Sequence, residues 1–401
     1  MWEQIRSNRN RSIIQVIGMG VLLFILGWAI GMYFLGNYIG GVAIALFVWL
    51  VMTMVAYFQG DSILLSVSKA HKISREDYPR LYNVVEEMKI ASGLEKMPDV
   101  YIIDDAALNA FATGRDVNHS SVAITSGLLQ KLNRDELQGV IAHEMSHIRN
   151  RDVVLMAMCS VLLGAIVMLA WYAFRIAFYS GGGSRSRRDS SSRGGNGQII
   201  IIVVAIVLMI LAPILAQLIY FAISRRREYL ADASGALYTR YPEGLASALE
   251  KIAASENPVK SANNATAPMY IANPFRNKKS VNELTSTHPP IQERIRILRT
   301  MAGASYSDYN QAYKKLRKDQ EVIPSSALAV TGTTVPLRSA QSGKEGELDE
   351  HQQARETSDI LWRINDYRTI DCDCGTRLRV PPNYRESQIR CPHCGRINPV
   401  K

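Results

Sequence analysis

The chain has 401 residues, enough for about two or three domains, with a formal net charge of +10, five cysteines and seven histidines. Its hydrophobic share of 47% is ordinary in the mean but unevenly placed. Much of the basic excess lies beside apolar runs, so the charge speaks for membrane topology and lipid contact and against a nucleic-acid-binding face.

No charged residue occurs from Ser12 through Gly60. The run is too long for one membrane span and fits two, with Gly36 to Gly41 as the turn. The basic start at Arg6, Arg9 and Arg11 would also suit a signal peptide. No small-x-small cleavage site follows, however, and a second span comes at once, so an uncleaved anchor is expected. Two further uncharged runs cover Val153 to Phe174 and Ile199 to Ile223, the second containing Pro213 and Gln217. A span tolerates such a proline when neighbouring helices satisfy the backbone it frees. One such run could be a buried core helix; four predict a multi-pass membrane protein.

Between the second and third runs the pattern is that of a soluble domain. Leu81, Val84, Val85 and Met88 form the apolar stripe of a helix over about Arg75 to Ser92. Asp99–Ile103, Asn109–Thr113 and Ser121–Thr125 read as strands, with Gly114, Asp116 and Asn118 supplying turn chemistry. Asn133 followed by Glu136 is a capping box, so a helix starts near Arg134, and nothing visible breaks it before Val153.

That helix carries His143-Glu144-Met145-Ser146-His147. Histidines four apart share one helical face, so both imidazoles reach one ion, and the adjacent glutamate can take a proton from a zinc-bound water. Zinc needs a third protein ligand. If the third and fourth runs form a hairpin, the chain returns to the membrane face it left, and the carboxylates there are Glu228 and Asp232. Glu228 is then the natural third ligand, with Asp232 placed to fix a ligand histidine's tautomer. The competing reading pairs Glu228 with Arg225, Arg226 and Arg227 at a membrane surface.

Residues 181–197, rich in glycine, serine and arginine, are expected as a flexible loop between spans. A helical stretch from Glu228 to about Leu237, an irregular polar segment over 255–287 and a helix over Pro289 to Met301 follow. The expected organisation is two spans in 1–60, the first half of a site-bearing domain in 61–152, a membrane hairpin in 153–224, its second half in 225–317, a linker in 318–367 and a small module in 368–401.

In this order the motifs resemble the HtpX-type membrane metalloproteases, relatives of the type I CAAX prenyl protease. The matching segments are Asn109–Gly114, Thr125–Leu129, Glu136–Asp152, Arg226–Asp232, Thr287–Pro290 and Arg294-Ile295, within about residues 1–300. The resemblance implies an α+β, mainly α, zincin-like fold with four transmembrane helices. It implies His143, His147 and Glu228 as zinc ligands and Glu144 as the base. It also makes Asn109, Ala110 and Phe111 an edge strand along which an extended substrate pairs, His288 a donor to the oxyanion, and Arg294 a brace acting through a carboxylate. His71, His119, His351 and His393 read as surface residues.

Residues from about 302 onward have no counterpart in short members of that family. Cys372 and Cys374, then Cys391 and Cys394, predict a small β zinc ribbon with a structural zinc; disulfides are the alternative. Arg377–Val380 and Ser387–Arg390 are expected to pair as its strands. Its partner would be a protein or a nucleic acid. Cys159, inside the third span, reads as packing.

The expected function is a membrane zinc endopeptidase with protein or peptide substrates, embedded in the lipid bilayer and serving membrane-protein quality control. The alternatives are a narrower processing protease and a membrane-anchored adaptor whose metal sites are structural. Basic residues near span ends number eleven on the side of Arg6 and Arg225, against four (Arg185, Arg187, Arg188, Arg193) in the 181–197 loop. The positive-inside rule then puts the zinc site and C-terminus in the cytoplasm, at the plasma membrane.

Overall fold

The computed structural model describes residues 2–32, 37–180, 195–262, 266–275, 288–317, 321–323, 328, 335–341 and 349–400. In chain order the elements are α1 (Trp2–Ile30), α2 (Tyr38–Val67), β1 (Ala70–Lys72), α3 (Pro79–Ser92), β2 (Asp99–Ile103), β3 (Ala110–Asp116), β4 (His119–Thr125), α4 (Ser126–Lys131) and α5 (Arg134–Arg149). They continue with α6 (Asp152–Ser180), α7 (Gly195–Thr239), α8 (Pro242–Ala254), α9 (Ile291–Thr300), α10 (Tyr306–Leu316), α11 (Glu350–Ile364) and strands β5 (Arg368–Asp371), β6 (Arg377–Val380), β7 (Gln388–Arg390) and β8 (Ile397–Pro399). The fold is mainly helical, with one four-stranded sheet ordered β1-β2-β4-β3 and two small hairpins.

The apolar runs form α1, α2, α6 and the first part of α7. Met19, Leu23 and Leu26 of α1, Ala45 of α2, Leu162 and Ile166 of α6 and Ala212 and Ala216 of α7 share one buried cluster. Ile44, Phe47, Met168, Trp171 and Ile210 are exposed on the outside of these helices. Glycine sets the closest approach: a Cβ on Gly31 would lie 2.7 Å from Gly41 Cα, so any larger residue pushes α1 off α2. Among the described residues, α2 is the one helix long and apolar enough to cross a membrane by length and composition; α1, α6 and α7 carry shorter apolar stretches. Arg185, Arg187, Arg188 and Arg193 lie outside the described residues.

Around the four-stranded sheet, α5 is the central element. Leu137, Val140, Ile141, Met145 and Ile148 pack into a core shared with Val84, Val85, Val122, Ile124, Leu245 and Leu249. The capping box forms as expected: Asn133 Oδ1 accepts from Glu136 N at 2.9 Å, and Glu136 Oε2 accepts from Asn133 N at 2.8 Å. A Cβ on Gly139 would meet Leu245 N at 2.6 Å, so glycine lets α8 press against α5. The stripe Leu81, Val84, Val85 and Met88 is buried on α3, which starts at Pro79 and not at Arg75, because proline's fixed φ and absent N–H suit the first helical turn.

Several expectations change. The helix bearing His143 and His147 does not run on to Val153. It ends at Arg149, Arg151 turns left-handed at φ 59°, and α6 starts afresh at Asp152. Part of the stretch expected as linker is structured. Gln353, Thr357 and Ile360 form the buried face of α11, and Gln353 Nε2 donates to the carbonyls of Leu129 and Leu132. A face with two polar residues in three carries no apolar period, so composition concealed it. In the terminal module, β6 pairs with β5 and β7 with β8, so Arg377–Val380 and Gln388–Arg390 do not pair with each other. Each Cys-containing turn closes its own hairpin, which satisfies the strands locally.

Candidate active site

Two helices converge on one point. His143 and His147 project from α5, and Glu228 comes from α7, four residues before Asp232 and on the same face. His143 Nε2 lies 3.3 Å from His147 Nε2, 3.5 Å from Glu228 Oε2, and His147 Nε2 lies 3.4 Å from Glu228 Oε1. Each histidine offers its other nitrogen to a carboxylate: His143 Nδ1 is 3.0 Å from Asp232 Oδ1, and His147 Nδ1 is 3.3 Å from Asp152 Oδ2. Those carboxylates put the imidazole protons on Nδ1 and leave two Nε2 lone pairs turned toward each other.

Lone pairs facing at that distance repel unless a proton or a metal ion lies between them. For a tetrahedral ion with ligand bonds of about 2.0–2.1 Å, ligand atoms stand about 3.3–3.4 Å apart, which matches the three spacings. His143, His147 and Glu228 thus fit a zinc ion, and their ligand atoms form one of two clusters of metal-binding type among the described residues.

The charges around the site are balanced by Arg294 of α9. Its Nε and Nη2 donate to the two oxygens of Asp232 at 2.8 and 2.7 Å, and its Nη1 stands 3.2 Å from Glu228 Oε2. Burial works against ionisation of Glu228, but hydrogen bonds from His143 and His147 and the Arg294 charge outweigh it and hold the carboxyl well below its ordinary value. Asp232 is lowered in the same way, with burial opposed chiefly by Arg294. Burial also opposes protonation of His147; Asp152 and Glu228 overcome it and push the imidazole up to about 10. Glu144 is different. Burial pushes its carboxyl upward, and its Oε2 is buried with no hydrogen-bond partner.

The sequence reading missed Asp152. As the first residue of a membrane helix it resembles a topological charge, and its partner Arg227 one of a basic run. In the structure Asp152 is buried, Arg227 Nη1 donates to its carbonyl at 3.3 Å, and Arg227 Nε lies 3.5 Å from its Oδ1. Arg227 thus meets Asp152, while Glu228 faces His143, His147 and Arg294.

His288 is brought to the site's margin. Burial pushes its pKa down, and its Nε2 lies 2.5 Å from Tyr270 O. Asn109, Ala110 and Phe111 lie at the edge of the sheet, but Phe111 is bridged by Tyr270 and Ala110 O accepts from Ile271 N at 3.0 Å.

The second cluster is Cys372, Cys374, Cys391 and Cys394. All four are free thiols; Cys372 Sγ is 3.6 Å from Cys394 Sγ, and Cys374 Sγ is 3.7 Å from Cys391 Sγ. These separations are too long for disulfides, and a tetrahedral ion with bonds of about 2.3 Å to sulfur places its ligands about 3.8 Å apart. The one-residue spacing of Cys372 and Cys374 does not prevent the four sulfurs from converging.

The profile of Peptidase family M48 matches residues 76–302. The chain is 48% identical over 301 residues to a protease HtpX homolog of Dictyoglomus turgidum, covering 75% of this chain and 94% of that one. It is 42% identical over 301 residues to a protease HtpX homolog of Thermoanaerobacter pseudethanolicus, covering 75% and 98%. A crystal structure of S. mikatae Ste24p aligns over 74% of this chain and 67% of that chain, with a TM-score of 0.41 and 20% identity.

Proposed function

The chain belongs to peptidase family M48, and from that premise we propose that His143, His147 and Glu228 hold its zinc ion and that Glu144 is the general base of peptide-bond hydrolysis. The observation that carries the assignment is the facing pair of Nε2 atoms with both Nδ1 atoms committed to carboxylates. Zinc bound there supplies Lewis acidity. The protein's own groups do the rest. Glu144, with its free Oε2 and a pKa raised by burial, takes the proton of the attacking water and returns it to the leaving nitrogen. Asp232 and Asp152 orient the two imidazoles, and Arg294 neutralises Asp232 and Glu228. For His288 to donate to an oxyanion, its Nε2–H must leave the Tyr270 carbonyl.

As a metalloprotease the chain acts on peptide or protein substrates. We propose further that α1, α2, α6 and α7 are four membrane spans, supported by their shared cluster and exposed apolar outer faces. Asp152 opens α6, so catalysis would take place at the membrane surface, on the cytoplasmic side by the basic-residue balance. That position suits membrane-protein quality control. The cysteine cluster would hold a second, structural zinc in a ribbon over residues 368–401.

The test is Glu144→Gln, which should keep zinc yet lose hydrolysis of an unstructured protein substrate, beside His147→Ala, which should lose both. Undiminished hydrolysis in Glu144→Gln would overturn the assignment and favour a structural metal site.

A further inference from the structure

The edge of β3 is closed over part of its length. At Phe111 it is bridged by Tyr270, Ile271 N donates to Ala110 O at 3.0 Å, and Asn109 Nδ2 donates to Ala272 O at 3.1 Å. The far side of this segment is pinned as well, by His288 Nε2 on Tyr270 O and by Arg294 Nη1 on Ile271 O at 2.7 Å. Lifting it away would strip hydrogen-bond partners from buried groups. The segment therefore covers the edge at Asn109–Phe111, which already has an intramolecular partner.

Ala112 lines a pocket whose other walls are His147 and Glu228 of the metal site, Val153 and Met156 on the first turns of α6, and Met269 on the 3₁₀ turn before Tyr270. Asp152 and Arg227 also line it, but they are paired with each other and offer no spare charge. The pocket thus joins the soluble sheet to the membrane hairpin, and its adjustable walls are two thioethers.

Resting on the metal-site assignment above, we infer that Met156 and Met269 are specificity-determining residues: they close an apolar pocket that takes one substrate side chain next to the scissile bond. The occupant is an uncharged apolar residue, because a charged one would be desolvated without a free counterion. Methionine walls yield to several shapes of similar volume, so the pocket selects by size and polarity and not by one exact outline.

The experiment uses the full-length chain in detergent micelles and fluorogenic peptides that differ in one residue, Ala, Leu, Phe or Asp, placed in turn on each side of the cleaved bond. Wild type should cleave the Leu peptide at least about tenfold faster than the Asp peptide in kcat/KM. Met156→Ala should raise the Phe-to-Ala ratio of kcat/KM at least about tenfold, and Met156→Trp should lower it by a similar factor. Met269→Ala repeats the widening from a different element, in case changes on α6 disturb insertion. Metal content should match wild type in all three. Cleavage with an unmoved ratio in every variant overturns this inference alone. A wild-type chain that cleaves no peptide faster than Glu144→Gln overturns the metal-site assignment and this inference with it.

Discussion

Asp152 Oδ2 lies 3.3 Å from His147 Nδ1, although the two residues belong to different helices separated by the left-handed turn at Arg151. The turn is what brings the aspartate back onto the imidazole. Asp152→Ala is therefore expected to weaken zinc binding by about 10–100-fold, the usual effect of removing a carboxylate behind a ligand histidine. Competition with a graded chelator measures it. An affinity equal to wild type would show that Asp152 serves only to pair with Arg227.

Metal content separates the two clusters. Full-length protein should carry two zinc ions, one for each cluster. His143→Ala, His147→Ala and Glu228→Ala should each drop to about one while leaving the ribbon loaded, and Cys391→Ser should drop to one while leaving hydrolysis intact. Full zinc retention in Glu228→Ala would remove it from the ligand set. Loss of both ions in Cys391→Ser would mean the ribbon and the catalytic half do not fold independently.

The C-terminal extension should matter for stability in two unequal parts. Residues 335–341 are stitched to the catalytic half: Arg338 Nη2 donates to Asp135 Oδ1 at 2.8 Å and its Nε to Thr239 O at 2.8 Å, and Gln341 N donates to Asp135 Oδ2 at 2.7 Å. Gln353 of α11 fills the carbonyls after α4, and Thr357 Oγ1 meets Tyr78 Oη at 3.3 Å. A chain ending at Leu316 loses all of these, two of them from the buried Asp135 carboxylate, so a thermal midpoint lower by several degrees is expected, about 2–4 kcal/mol. A chain ending at Asp366 keeps them and should melt close to wild type. Equal midpoints for the two truncations would contradict the docking of α11.

The parts of the site that were legible in the sequence have a local rule behind them. His143 and His147 share a helical face, Asn133 and Glu136 cap the same helix, and Glu228 and Asp232 repeat at one turn. What was not legible depends on tertiary contact. Asp152 reads as a charge at the end of a span until the turn at Arg151 is known. Gln353 and Thr357 are polar residues on a buried face, so α11 lacks the apolar period by which helices are recognised. Tyr270 covers Phe111 from a segment of no regular pattern, and no spacing in the sequence announces that an edge strand is already partnered.

Orientation in the membrane is the last prediction, because it decides where hydrolysis takes place. Eleven basic residues near span ends stand on the side of the metal site, and four, Arg185, Arg187, Arg188 and Arg193, stand in the loop between α6 and α7. The larger number should stay in the cytoplasm. In that compartment the four cysteines would stay reduced and available as metal ligands. The paired placement of Asp152 at the start of α6 and Glu228 on α7 ties the site to that same face, so one measurement fixes both. Ser190→Cys, in the chain between α6 and α7, should react with a membrane-impermeant thiol reagent in intact cells. Glu95→Cys, at an exposed position before β2, should react only after the membrane is opened. Labelling above the wild-type background is the readout. The opposite pattern would invert the protein and move its proteolysis to the outer face of the membrane.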